Sequence, residues 1–187
     1  MQQVKATVKA YEDQTKAERR VTLAKDVLAQ LAAARFKARR QVYFRVNLTK
    51  DERENANGSL KEILPEKVCT VCAKGAVFAA HVLRNNEFRI GRLVDESDSG
   101  EAACRYLGGG ECVRQVSDAF DAITLAELEC AFEGIDEDGN WMNSHMLGYD
   151  ESKRWSSLFP RKLGAEARLT ALMNNLVRNK GTLKYER

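Results

Sequence analysis

Two cysteines three residues apart, Cys69 and Cys72, are the first side chains in this sequence whose spacing suggests chemistry. A Cys-x-x-Cys pair can supply half of a structural zinc site if two further thiolates or imidazoles converge on the metal. Cys104, Cys112 and His81 are the available partners, but Cys104 and Cys112 do not form a second such pair. Cys72 also falls on an apolar stripe, where a thiol behaves as a small hydrophobe. Buried thiols are therefore expected, no cofactor is called for, and structural zinc at Cys69/Cys72 is the alternative. Asp136-Glu137-Asp138-Gly139-Asn140 has the look of a calcium loop. With Gly139 at the sixth position, however, Gly134 and His145 stand where carboxylates are required, so an acidic turn is expected. His81 sits beside an apolar stripe. His145 lies near Asp138 and Asp150 with no nucleophile to complete an acid–base set. Gly108-Gly109-Gly110 lacks the preceding strand and following Lys-Ser/Thr of a phosphate loop and reads as a hinge.

Two features point to binding rather than catalysis. Arg35-Phe36-Lys37-Ala38-Arg39-Arg40 is the densest basic cluster, suited to phosphates, or to solvation at a helix end, where the dipole favours cations. The segment from Ile135 to Leu163 contains Trp141, Tyr149, Trp155 and Phe159, including both tryptophans. Such aromatics either anchor a long loop on the core or form a recognition surface, and the sequence leaves both open. The candidate partner or ligand surface is accordingly Arg35, Lys37, Arg39, Arg40, Trp141, His145, Tyr149 and Trp155.

Helical periodicity dominates the elements that must position these groups. Ala24, Val27, Leu28, Leu31 and Arg35/Phe36 predict a helix from about Lys16 to Lys37. Glu66 to Asn85 carries Val68, Val71, Cys72, Gly75, Ala76, Ala79, Val82 and Leu83 at helical spacing, which predicts a central core helix with a small-residue middle. Ser59 is placed to cap a short helix Leu60–Leu64, stopped by Pro65. A helix is expected from Cys112 to Phe120, with Val113, Val116 and Phe120 inward. Thr124 and Glu127 form a capping-box pattern for another that Gly134 ends. The last helix runs from Ala165 or Glu166 to Asn179, with Leu169, Leu172, Met173, Leu176 and Val177 on one face. Gln41–Leu48 alternates like a strand, with short partners at Phe88–Val94 or in the ambiguous N-terminal segment. Arg89–Gly100 reads as an acidic loop. The expected fold is mostly α, a single-domain helical bundle over residues 1–187 around the small-residue helix. It has room for one short β hairpin or strand pair, with residues 1–14 loosely attached and 135–163 as a long aromatic loop.

The 187 residues suffice for one core, and only two prolines interrupt helices. Charge is uneven around a net +3. Residues 1–50 hold 12 Lys/Arg against 4 Asp/Glu, residues 86–150 hold 4 against 15, and residues 151–187 hold 9 against 3. Basic ends folding on an acidic middle account for this, and so would opposed charged faces for two partners. No run of about 18 apolar residues suggests a membrane span, and Met1–Tyr11 lacks the apolar core of a secretory signal. The expected location is cytoplasmic, with five cysteines kept as thiols and no membrane partner.

Three segments together carry a resemblance. They are Cys69-Thr70-Val71-Cys72-Ala73-Lys74-Gly75-Ala76-Val77-Phe78, then Leu125-Ala126-Glu127-Leu128-Glu129-Cys130-Ala131-Phe132-Glu133-Gly134, then Arg168 to Thr182 with its closing Asn179-Lys180-Gly181-Thr182. In order and combination they resemble a family of small, uncharacterised bacteriophage and prophage proteins. The resemblance implies a genomic context and no catalytic residues. Accessory phage proteins of this size commonly bind host proteins or host signalling molecules. The expected function is thus a non-enzymatic phage-encoded binding protein in the host cytosol, modulating a host factor or defence pathway. The expected partner is a host protein. The alternatives are a sponge for a small anionic nucleotide signal, or a nucleic-acid-binding accessory protein using Arg35, Lys37, Arg39 and Arg40.

Overall fold

The computed structural model describes residues 10–85, 88–96, 101–104 and 114–185. Helix α1 (Lys16–Ala32) starts where Thr15 accepts the Glu18 N–H and Glu18 returns a bond to the Thr15 N–H, a reciprocal cap. It buries Leu23, Ala24, Val27 and Leu31. The helix expected to reach Lys37 stops five residues earlier. Ala34 adopts φ 55°, which turns the chain, and Phe36–Ala38 becomes strand β1 with Phe36 buried and Lys37 exposed. The sequence 11–14 precedes α1. Within the segment read as loosely attached, Tyr11 is buried, and its carbonyl accepts from Arg19 Nε at 3.2 Å.

A second correction concerns the central helix. Cys69–Val71 is strand β3, and the helix α4 begins only at Ala73 and ends at Asn85. Cys69 and Val71 are buried while Thr70 between them is half-buried, a period-two pattern that sets the strand's inner face. Val68, assigned to the helical stripe by spacing, is 47% exposed. Strand β2 (Phe44–Asn47) pairs antiparallel with β3, and β1 pairs parallel with β3 on the other side. Beyond β2 lie β5 (Glu101–Cys104) and β4 (Val94–Glu96), both antiparallel, giving the order β1-β3-β2-β5-β4. Arg89–Gly100, read as a loop, therefore contributes β4 and a short 3-10 turn, Ile90–Arg92.

The mostly α single domain expected from the sequence is what the chain adopts, with its strand group built from strands of three or four residues. Short helices α2 (Lys50–Glu54) and α3 (Leu60–Ile63) follow β2. Ser59 makes no side-chain capping bond to α3 and instead bridges Arg89. Helix α5 (Ala122–Glu133) is capped by Asp121, which accepts the Thr124 N–H, so the capping residue lies three positions before the threonine expected to serve. Of the expected helix 112–120, Val116 and Phe120 are buried, and Cys112 and Val113 lie outside the described residues. The loop 135–163 is not wholly irregular, because it contains α6 (Tyr149–Ser156). Helix α7 (Ala165–Arg178) buries Leu169, Leu172, Met173 and Leu176 as their spacing predicts. It packs on α1 and α5, while α4 lies between α1 and α5 and against β2 and β3. Among the described residues no helix is long and apolar enough to cross a membrane.

The small-residue middle of α4 is buried, but a strand sets its most stringent demand. A Cβ on Gly75 would lie 1.5 Å from the Tyr43 carbonyl oxygen. Only glycine lets the first turn of α4 sit on the backbone entering β2, where the Cys72 N–H donates to that same carbonyl at 3.1 Å. Ala76 is fully buried one residue on. Gly75→Ala is expected to cost about 3 kcal/mol or more, since backbone must move, and Ala76→Leu about 1–3 kcal/mol by overpacking. Urea unfolding of both variants measures this. Wild-type midpoints for either would show that the helix start is not seated as described.

Candidate functional site

The turn between β1 and β2 and the C-terminus of α5 meet at one point. Gln41 takes φ 61°, a left-handed conformation uncommon outside glycine and asparagine. That geometry directs its N–H at the Glu133 carboxylate, with distances of 3.1 and 3.0 Å to the two oxygens. Glu133 is the last residue of α5 and is buried. Burial pushes its carboxyl up to about 7. The Gln41 N–H, Arg40 and Arg168 oppose the shift, and Glu129 adds to it. Glu129 itself is held by an ion pair with Lys74 from the first turn of α4.

Beneath this carboxylate lies Arg168, whose side chain is fully buried. Its Nε donates to Leu163 O at 3.0 Å, Nη1 to Ala131 O at 3.3 Å and Nη2 to Pro160 O at 2.8 Å. One guanidinium thus ties the last turn of α5 to the segment entering α7. Burial lowers its pKa to about 10, helped by the nearby positive charge of Arg40, so it is still protonated at neutral pH. Gly134, at φ 65°, makes room: a Cβ there would stand 2.1 Å from Arg168 Nη1.

After Gly134 the chain forms a tight turn. Asp136 and Asn140 exchange hydrogen bonds, Asp136 N to Asn140 O and Asn140 N to Asp136 Oδ1, both at 2.7 Å, and Ile135 bridges Trp141. The expected acidic turn is therefore what Asp136–Asn140 makes. Between it and the β1–β2 turn opens a cleft of about 220 Å³, lined by Arg40, Gln41, Glu133, Asp136, Asn140, Trp141, Met142 and Asn143. A neighbouring cleft of about 340 Å³ shares Arg40 and Asp136 and is otherwise lined by Ile135, Glu137, Arg161 and Lys162. Arg40 Nη2 is buried and, among the described residues, has no hydrogen-bond partner.

Of the residues singled out by sequence, Arg40 and Trp141 are brought together here. Tyr149 meets the Trp141 ring edge-on at 4.8 Å and is 62% exposed. Trp155 is buried, packed edge-on against Tyr185 at 5.7 Å, so it anchors the core. Arg35, Lys37 and Arg39 are exposed along the outer strand β1 and line neither cleft, and His145 is exposed on the turn before α6. Sequence reasoning missed Glu133, Gln41, Arg161, Lys162 and Arg168. The one available signal was Arg168, which stands four residues before Leu172 on a mostly apolar face of α7.

Among the described residues no group of three or more His, Cys, Asp or Glu is placed to hold a metal. Cys69 and Cys72 are buried thiols, each pushed up to about 12 by burial. The Cys104 side chain and Cys112 lie outside the described residues. His81 is buried within α4, its Nδ1 3.4 Å from the Tyr11 hydroxyl, and burial lowers its pKa. No family model, no curated protein and no solved structure matches this chain.

The raised Glu133 pKa has a definite sign for stability. The unfolded carboxyl releases its proton near 4.5 and the folded one near 7, so the folded state holds more protons between those values. Stability must fall as pH rises through that window, by on the order of 3 kcal/mol from this group. Glu133→Gln keeps an oxygen for the Gln41 N–H and removes the titration. Its stability is expected to be flatter between pH 5 and 7.5 than that of the wild type in urea unfolding, and identical slopes would show Glu133 to be ionised and solvated. Arg168→Met is expected to cost roughly 3 kcal/mol or more, because buried carbonyls lose their donor. A variant of wild-type stability would remove Arg168 as the tie described above.

Proposed function

We propose that the chain is a non-enzymatic binding protein that captures a small anionic ligand in the Arg40–Trp141 cleft. By doing so it modulates a host factor or defence pathway from within the host cell. The observation that supports this reading is the buried Nη2 of Arg40, unpartnered among the described residues, in a wall shared with a half-exposed tryptophan. A buried guanidinium donor without an acceptor is costly, and an anionic ligand would satisfy it. Glu133, which lines the cleft, and Arg168, beneath the same helix end, already serve the fold, the first on the Gln41 amide and the second on three carbonyls, which favours binding over turnover. The phage and host part of the proposal rests on the three-segment resemblance.

A second reading keeps a host protein as the partner. Tyr149 and Met146 are exposed apolar side chains, and Tyr149 is in contact with Trp141, so the cleft rim would form part of a recognition edge.

Of the chain's two tryptophans, Trp155 is buried, which makes Trp141 the solvent-sensitive reporter. Protein-free small-molecule extract from host cells is expected to change tryptophan emission. It is also expected to raise the melting temperature by about 5–10 °C at ligand near a hundredfold excess over Kd. Arg40→Ala should lose both effects with its circular dichroism unchanged. If neither the extract nor millimolar anionic metabolites produce a response, the small-ligand reading fails. A response to purified host protein alone, sensitive to Tyr149→Ala, would establish the second reading.

A further inference from the structure

Resting on that reading, we propose that the ligand is a nucleoside phosphate, with its base against Trp141 in the smaller cleft and its phosphate beside Arg161 and Lys162 in the larger one. The two clefts adjoin at Arg40 and Asp136, which line both. Small-ligand sites generally occupy on the order of 300–1,000 Å³. The smaller cleft alone falls below that range, and the pair falls within it, so the joined shape fits a two-part ligand better than a compact one.

The linings differ in the way such a ligand requires. The smaller cleft offers a flat indole and the Met142 thioether. Around them stand the carboxamides of Asn140 and Asn143, the Glu133 carboxyl and the Arg40 guanidinium. Carboxamides both donate and accept, and a carboxyl that titrates near neutrality does either according to its proton. A planar heteroaromatic ring with donors and acceptors around its edge satisfies these groups while its face covers the indole. An aliphatic acid presents no flat face to the indole and fewer groups to the carboxamides. The larger cleft carries three cations, Arg40, Arg161 and Lys162, against two carboxylates, Asp136 and Glu137. Asp136 is already engaged by the Asn140 N–H at 2.7 Å. Arg161 is also close to the turn that divides the clefts, since a Cβ on Gly139 would lie 3.7 Å from its Nη2. A phosphate held there reaches Arg161 from one side and Arg40 from the other, and guanidinium groups suit phosphate oxygens.

The test is a calorimetric and tryptophan-emission titration of the full chain. The probes are inorganic phosphate, pyrophosphate, adenosine, guanosine, cytidine, their 5′-monophosphates, their 3′,5′-cyclic monophosphates and a 5′-phosphorylated ten-nucleotide single strand. At least one nucleotide is expected to bind with an emission change. Its nucleoside is expected to bind at least about tenfold more weakly, and inorganic phosphate without change in emission. The double variant Arg161→Ala/Lys162→Ala, at exposed positions, should weaken nucleotide binding about tenfold and leave nucleoside binding unaltered, whereas Trp141→Ala should weaken both. Equal affinity for phosphate and nucleotide, or for nucleoside and nucleotide, would overturn the two-part assignment. If no nucleotide binds while host extract still shifts Trp141 emission, the nucleoside phosphate is wrong and the small-ligand cleft stands; silence to both removes both. Binding of the phosphorylated strand but of no mononucleotide supports the chemistry and assigns it to a nucleic-acid end.

Discussion

A charged guanidinium with no access to solvent stands behind Gly134, at the edge of the cleft. Taking an arginine out of water costs several kcal/mol unless its donors are matched, and Arg168 matches them with carbonyls from Ala131, Pro160 and Leu163. The arrangement suits the local electrostatics, because the C-terminal carbonyls of α5 carry the negative end of the helix dipole. It also answers two accounting problems at once. The last turn of α5 has carbonyls without intrahelical partners, and the segment 160–164 runs over the core without strand or helix to satisfy its own. Since Arg161 and Lys162 lie within that segment, the buried arginine fixes where the exposed cations stand.

Glu133 connects this base to the other wall. Its two oxygens receive one backbone amide from a residue 92 positions away, at the left-handed Gln41. Arg40 immediately precedes that residue and is carried into the cleft by the same turn. On the far side, Glu129, one helical turn back along α5, is paired with Lys74 on α4. The first turn of α4 rests in turn on the Tyr43 carbonyl through Gly75. The site is therefore assembled at the junction of a helix end, a strand turn and a helix start, and none of the three supplies it alone.

This explains which parts were legible in the sequence. The start of α1 and the extent of α7 follow from local periodicity, and the chain leaves α7 at Asn179 as the Asn179-Lys180-Gly181 stop predicts. Cys69–Val71 was misread because Val68, Val71, Cys72 and Gly75 satisfy helical spacing, while its strand character comes from pairing with Phe36–Ala38, about thirty residues earlier. The end of α1 was misread for the same cause: Phe36 continues the helical stripe but is drawn into the sheet opposite Cys69. Residue type alone marked Arg40 and Trp141 as candidates. It could not separate Trp141 from Trp155, since that depends on which ring finds a buried neighbour, and Trp155 finds Tyr185. Glu133 and Arg168 gave little warning, because their partners are backbone atoms, near and far along the chain, that no side-chain pattern announces.

The uneven charge along the chain takes a different meaning in three dimensions. Part of the basic N-terminal third does fold onto the acidic middle, with Arg19 on Asp118 at 2.9 Å and Arg20 on Asp121 at 3.2 Å. These pairs are partly exposed and contribute little to stability on their own. At the clefts all three charge blocks meet: Arg40 from the first, Glu133 and Asp136 from the second, and Arg161 and Lys162 from the third, with Arg168 behind them on the Ala131 carbonyl. Arg40 and Arg168 repel one another and each draws on the same carboxylate, while burial works to keep a proton on it. When Glu133 holds that proton the two guanidiniums lose a neighbouring negative charge and the cleft becomes more positive. Desolvation of a single side chain thus tunes the charge that any ligand entering there must meet.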